Sequence, residues 1–158
     1  MEDKKQTILI VDDEPGNIEI LSETLGSSYE ILFATSGKEA LEIAASQIPD
    51  MIILDIVMPV MSGYEVLQNL KQNPSLKEIP IVFITALDQE DQETKGLTLG
   101  AVDYIPKPFN TAIVKLRVRT QLELKLQRDI LIKRNEELQK ALVKIITLSG
   151  LLPICASC

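Results

Sequence analysis

Short apolar runs alternate with stretches of helical spacing along most of the chain, and this alternation constrains the fold more than any other feature. Each run is predicted to be a buried strand, and the runs are residues 6–11, 29–34, 51–55, 79–85 and 102–106. Helical spacing follows every run, and the last helix is predicted to begin at Asn110 or Thr111 and to end near Ser149. Strand–helix repeats of this kind form right-handed crossovers and a parallel sheet that is covered on both faces. We therefore predict an α/β fold with a doubly wound five-stranded parallel sheet and a long C-terminal helix.

Histidine is absent from the 158 residues, which excludes histidine-based catalytic triads and histidine-ligated zinc sites. Residues 1–110 hold 7 Lys and Arg against 19 Asp and Glu, so this part is too acidic for general nucleic-acid binding. Residues 111–158 hold 9 against 4, but the two signs are interleaved as on a solvated helix. No helix-turn-helix pattern accompanies these charges, so no direct nucleic-acid partner is expected.

Neither end of the chain carries a pattern typical of membrane insertion or secretion. No stretch reaches the roughly 18 apolar residues of a membrane-spanning helix, and the N-terminal MEDKKQ is too polar for a secretory signal. Two cysteines near the end of the chain do not make a disulfide framework. We therefore expect a cytoplasmic protein without a membrane partner.

Chemically capable side chains follow the predicted strands, at the point where each strand ends. Asp12 and Asp13 follow the first strand, Asp55 ends the third, Thr85 ends the fourth, and Lys107 follows the fifth. In a doubly wound sheet, ligands bind beyond the carboxyl ends of the strands, so we expect these groups to converge there. Clustered carboxylates need a cation, and oxygen ligands without His or Cys favour Mg²⁺. A hard cation, an ammonium, a hydroxyl and a carboxylate nucleophile are the groups that acyl-phosphate formation requires.

Four motifs around these residues resemble the receiver domain of bacterial two-component response regulators. They are ILIVDDEP (8–15), MIILDIVMP (51–59), VFITA (82–86) and YIPKPF (104–109), and the resemblance covers roughly residues 5–122. The resemblance implies a flavodoxin-like sheet of strand order 2-1-3-4-5. It also implies a signalling module that catalyses only its own phosphorylation and slow dephosphorylation, with a sensor histidine kinase or a phosphotransfer protein as its partner.

The resemblance implies a role for each matching residue. Asp55 is expected to be the phosphoacceptor. Asp13 is expected to bind Mg²⁺ directly, Asp12 mainly through water, and Asp55 and the backbone carbonyl of Val57 to complete the protein ligands. Lys107 is expected to hold the phosphoryl oxygens.

The same resemblance implies a switch that reports phosphorylation. Thr85 is expected to move to bond a phosphoryl oxygen, and Tyr104 to turn inward after it. The peptide bond between Lys107 and Pro108 is expected to be cis, which is uncommon in folded proteins.

Two apolar positions near the site predict a long-lived phosphoryl group. Val57 lies two residues after Asp55, and Leu87 lies two residues after Thr85. Neither side chain can orient an attacking water. Val57 also argues against an aspartate-nucleophile phosphatase, since those enzymes carry a second acid at its position.

The uninterrupted last helix carries an apolar stripe that predicts a parallel homodimer. An apolar residue, either Leu or Ile, recurs every seven residues, at Leu124, Leu131, Leu138, Ile145 and Leu152. If these residues occupy position d of the seven-residue coiled-coil repeat, position a falls at Arg128, Asn135, Leu142 and Ser149. Leu at d with a single Asn at a favours two parallel strands in one register. Alternatives are that the stripe packs back on its own domain, or that the coiled coil is a constitutive scaffold and the phosphorylation site is vestigial.

These patterns divide the chain into three expected parts. Residues 1–122 form the receiver domain, residues 123–149 the coiled-coil signalling helix, and residues 150–158 the truncated start of a Cys-containing segment. Cys155 and Cys158 supply only half of a tetrahedral Cys₄ zinc site. A redox role is the weaker alternative, because a thioredoxin-type CxxC should open a helix after a strand, and the sequence leaves the role of these two thiols open.

Overall fold

The computed structural model describes residues 4–86 and 90–149 of the chain. Over these residues five strands alternate with five helices. The elements are β1 Thr7–Val11, α1 Pro15–Leu25, β2 Glu30–Ala34, α2 Gly37–Gln47, β3 Met51–Asp55, α3 Gly63–Gln72, β4 Ile81–Ala86, α4 Glu90–Leu99, β5 Asp103–Lys107 and α5 Thr111–Ser149.

The five strands form one parallel sheet in the order β2-β1-β3-β4-β5. This confirms the predicted α/β class, the strand order and the long last helix. β3 lies at the centre of the sheet and is buried along its whole length, as a strand covered on both faces must be. Its carboxyl end is therefore the point at which residues from the neighbouring strands can meet.

Apolar side chains fill a separate layer on each face of the sheet. One layer packs the sheet against α1 and the first part of α5, through residues such as Leu21 and Val118. The other packs it against α2 and α3, through residues such as Ala40 and Leu67. Helices on both faces leave only the two strand edges and the loops open.

Polar side chains cap the first turns of α2 and α5. The hydroxyl of Ser36 accepts a hydrogen bond from the backbone N–H of Glu39 at 3.2 Å, which starts α2. The amide oxygen of Asn110 accepts from the N–H groups of Ala112 and Ile113 and starts α5. In both cases the cap satisfies backbone donors that the first helical turn leaves unpaired.

The bounds of four strands differ from the predicted runs by one or two residues, and β3 matches its run at 51–55. β4 begins at Ile81 rather than at residue 79. Pro80 has no N–H group to complete the ladder, although its carbonyl still accepts from Ile52 at 3.0 Å. In the described part of the chain, α4 spans Glu90–Leu99.

The chain divides into two units, Met1–Leu122 and Glu123–Cys158. The first unit contains the whole sheet. The described residues of the second unit are the remainder of α5. No helix in the described ranges combines the length and the apolar character that crossing a membrane requires.

Candidate functional site

Three carboxylates meet at the carboxyl edge of the sheet. Asp12 follows β1 and Asp55 ends β3, and these strands are neighbours with Val11 opposite Leu54. One carboxylate oxygen from each of Asp12, Asp13 and Asp55 lies within 4.8 Å of the others. Asp12 and Asp55 are buried, whereas Asp13 is more open to solvent. The arrangement is an all-oxygen cluster with one accessible side.

Burial makes this cluster costly to ionise. Burial, helped by the neighbouring Asp12 carboxylate, raises the pKa of Asp55 to about 7, while Lys107 and the N–H of Val57 act in the opposite direction. The pKa of Asp12 is also raised, mainly by burial. A positive charge that entered the cluster would relieve both effects.

Lys107 brings the nearest fixed positive charge to the two buried acids. Its Nζ atom lies 3.5 Å from Oδ2 of Asp55 and 3.9 Å from Oδ2 of Asp12. Lys107 ends β5, and the peptide bond from Lys107 to Pro108 is cis. Its ammonium is therefore a point charge held between two carboxylates.

Two buried oxygen atoms in the site have no hydrogen-bond partner among the described residues, Oδ2 of Asp12 and Oγ1 of Thr85. The other carboxylate oxygen of Asp12 accepts from the N–H of Glu14 at 2.9 Å. Buried polar atoms are nearly always paired, so a bound cation or another ligand would account for these two oxygens. Oδ2 of Asp12 together with the carboxylates of Asp13 and Asp55 fits a hard divalent cation such as Mg²⁺.

The loop after β3 is organised around Asp55. The N–H of Val57 donates to Oδ1 of Asp55 at 3.3 Å, and the Val57 side chain is exposed. A Cβ atom at Gly63 would lie 2.3 Å from the backbone oxygen of Asp55, so α3 can begin this close to β3 only with glycine there. Gly63 is a site residue that was not predicted from the sequence. Its only signal was the Ser-Gly pair that precedes a helical pattern.

Thr85 and Tyr104 lie on the same face of the sheet. Phe83 pairs with Tyr104 and Thr85 pairs with Pro106 in the β4–β5 register, and alternate residues of a strand share a face. Thr85 is buried. Tyr104 is half-buried and packs against the apolar layer between the sheet and the helices α2 and α3.

Arg117 of α5 contacts Tyr104, and sequence reasoning did not find it. Its guanidinium lies 5.0 Å from the centre of the Tyr104 ring and 3.2 Å from Oδ1 of Asp103. It also donates to the backbone oxygen of Tyr104. The two residues are thirteen positions apart and meet only because α5 returns beside β5. No sequence pattern signals such a contact.

The residues predicted to pair two helices lie on the part of α5 that belongs to the second unit. All of them are exposed: Leu124, Leu131, Asn135, Leu138, Leu142 and Ile145. Four residues with predicted roles fall outside the described residues, and their roles stay predictions: Leu87, Leu152, Cys155 and Cys158.

Comparisons with known proteins agree on one family. A profile of the response regulator receiver domain matches residues 8–119. The chain is 47% identical over 145 residues to "Probable cyclic di-GMP phosphodiesterase" of Vibrio cholerae, and 41% identical over 128 residues to "Response regulator PleD" of Caulobacter vibrioides. These matches cover 91% and 80% of this chain but 33% and 28% of the relatives. The chain thus spans about a third of the length of these two curated relatives.

Solved structures show the same likeness. The chemotaxis response regulator CheY4 of Vibrio cholerae superimposes with a TM-score of 0.69 at 31% identity, covering 75% of this chain and 99% of that one. The receiver-domain match at residues 8–119 spans well over half of the chain. The chain belongs to the response regulator receiver domain family of two-component signal transduction, and the matched residues lie within its first unit.

Proposed function

We propose that Asp55 accepts a phosphoryl group from a phosphohistidine of a sensor kinase or phosphotransfer protein. The observation that carries the proposal is the position of Asp55, buried at the end of the central strand with Lys107 Nζ 3.5 Å from its Oδ2. A carboxylate oxygen of Asp55 attacks phosphorus and the P–N bond to the histidine breaks. The products are an aspartyl phosphate and a neutral histidine. The ring nitrogen that was bonded to phosphorus keeps the electron pair of the P–N bond, and the proton on the other ring nitrogen stays there.

Asp12, Asp13 and Asp55 would hold Mg²⁺, together with the backbone carbonyl of Val57. Oδ2 of Asp12, which accepts no hydrogen bond from the described residues, and the clustered carboxylate oxygens support this assignment. When bound, the ion would neutralise charge on the phosphoryl oxygens during transfer. Asp12, through its bond from Glu14, keeps one oxygen fixed so that the other faces the cluster.

Lys107 and Thr85 would then hold the transferred group. The ammonium of Lys107 already lies within reach of Asp55, and it would exchange the carboxylate for a phosphoryl oxygen. The unpaired hydroxyl of Thr85 would donate to another oxygen. Its movement would free space on the face that it shares with Tyr104, whose ring would turn inward.

The second unit would pair with a second copy of the chain as a parallel coiled coil. An exposed row of leucines on a continuous helix needs a partner, and the seven-residue spacing fits an identical helix. Asn135 at an a position would align the two helices, because Asn pairs best with Asn in the same register. Phosphorylation would shift the balance between two arrangements of this pair.

Beryllofluoride, a stable mimic of the phosphoryl group, tests the proposal. With Mg²⁺ present it should raise the melting temperature of the wild type and of Glu42→Gln, which removes an exposed carboxylate. It should leave Asp55→Asn unchanged. If the wild type also stays unchanged, the phosphorylation site is idle, and the constitutive scaffold becomes the better account.

A further inference from the structure

β5 is an edge strand, and one side chain from the helix on one face of the sheet reaches around it. Among the strands that the structure describes, β5 pairs only with β4. α5 packs on one face through Val114, Val118 and Leu122, whereas Tyr104 belongs to the apolar layer on the other face. Arg117 spans these two layers, since it lies on α5 and contacts the Tyr104 ring.

Arg117 and Asp103 together occupy both backbone groups of Tyr104. Arg117 donates to the backbone oxygen of Tyr104 and to Oδ1 of Asp103. The same Oδ1 accepts the N–H of Tyr104 at 2.8 Å. Tyr104 is therefore held at its backbone by hydrogen bonds and at its ring by the guanidinium, which is attracted to an aromatic face.

We propose that Arg117 is a positioning residue that holds Tyr104 in its resting orientation and links the switch directly to α5. The proposal rests on the function proposed above for Asp55, Thr85 and Tyr104. If the ring turns toward Thr85, it must leave the guanidinium of Arg117. The released arginine belongs to the helix that continues past Leu122, so the signal reaches that helix through a single side chain.

The contact opposes activation, because it stabilises only the resting orientation. A ligand that favours the other orientation must overcome that stabilisation, so its apparent affinity falls by the same factor. Removing the guanidinium should therefore tighten beryllofluoride binding. A partly exposed cation–π contact predicts an effect of roughly three- to tenfold.

Beryllofluoride titration at saturating Mg²⁺ tests this proposal with a matched control. Arg117→Ala should bind roughly three- to tenfold more tightly than the wild type. Arg119→Ala deletes an arginine on the same helix that has no ion pair among the described residues, and it should bind like the wild type. Arg117→Lys keeps the charge but loses the planar group, so it should lie between the two.

A double-mutant cycle shows whether the effect passes through the ring. In a Tyr104→Ala background, Arg117→Ala should no longer alter beryllofluoride affinity. Fluorine NMR adds a direct readout, since 3-fluorotyrosine labels only three positions. In Arg117→Ala without ligand, the Tyr104 signal should move toward its beryllofluoride-bound position, which a general loss of stability would not produce.

The outcomes separate the two proposals. If the wild type binds beryllofluoride but Arg117→Ala and Arg117→Lys match Arg119→Ala, the Arg117 proposal is overturned while the phosphoacceptor remains. If the wild type does not bind at all, the proposed function itself fails. Should Arg117→Ala not fold, Arg117→Lys decides: unchanged affinity and an unmoved Tyr104 signal overturn the proposal.

Discussion

A Cβ atom at Gly63 would lie 2.3 Å from the backbone oxygen of Asp55 and 2.8 Å from the Cα of Ile56. Both contacts are with backbone atoms, which cannot swing away as a side chain can. Gly63→Ala should therefore lower the unfolding free energy by about 1–3 kcal/mol. It should also weaken beryllofluoride binding, since the relief of the clash displaces Asp55.

Gly16 provides the matched control for this change. A Cβ there would meet nothing within 4 Å, and the residue lies in the first turn of α1. Gly16→Ala should raise the unfolding free energy by about 0.5–1 kcal/mol, because alanine loses less backbone entropy in a helix. Urea denaturation measures both variants, and equal effects at the two positions would contradict the close approach at Gly63.

Removing the Asp55 carboxylate should stabilise the metal-free protein increasingly as the pH rises. Burial, with the adjacent Asp12, raises the pKa of Asp55 from 3.8 to about 7 in the folded chain. The folded state thus holds this proton more tightly than the unfolded state. The stability linked to the proton is complete below about pH 4 and is lost as the pH rises to 7.

Asp55→Asn does not lose that stability, because an amide has no proton to release. In the presence of a chelator, its advantage over the wild type in unfolding free energy should widen by on the order of 2 kcal/mol between pH 5 and pH 8. Chemical denaturation at the two pH values measures this, with Glu42→Gln as the exposed control. A gap that stays constant would mean that Asp55 titrates normally.

The phosphorylated protein should lose its phosphoryl group slowly. The side chain of Val57 is 66% exposed beside Asp55 and offers no polar atom to orient a water molecule. Val57→Gln supplies an amide at that position and should shorten the lifetime severalfold, whereas Val57→Leu should not. The decay of phosphorylated protein after removal of the donor measures both, and a wild-type half-life of seconds would contradict the prediction.

Pairing of the α5 helices should depend on the apolar stripe. Leu138→Lys places a charge in the predicted seam, so light scattering should show a shift from dimer toward monomer. Glu137→Lys introduces the same side chain at a neighbouring exposed position outside the stripe and should leave the molar mass unchanged. A wild type that is monomeric with and without beryllofluoride would rule out the pairing.

The fold was predictable from the sequence because the apolar runs and the helical spacing between them both indicate a parallel sheet covered by helices. Continuous apolar runs such as 51–55 require burial on both faces, and the helical spacing between runs supplies the cover. The proximity of Asp12 and Asp55 was also predictable, because the carboxyl ends of neighbouring parallel strands lie at one edge of the sheet.

Features that depend on close tertiary contact were not predictable. Arg117 meets Tyr104 only after α5 has packed beside β5, and nothing in either local sequence marks the pair. Val60 adopts a positive φ of 69° and is fully exposed, although β-branched residues disfavour that region. Spacing alone predicts a loop there and cannot predict its backbone conformation.

Intact-mass spectrometry after incubation with acetyl phosphate and Mg²⁺ tests the central claim most directly. The wild type should gain the mass of one phosphoryl group. The gain should disappear with a chelator, in Asp55→Asn and after hydroxylamine, which cleaves acyl phosphates. A gain that persists in Asp55→Asn, or no gain in the wild type, would contradict Asp55 as the phosphoacceptor.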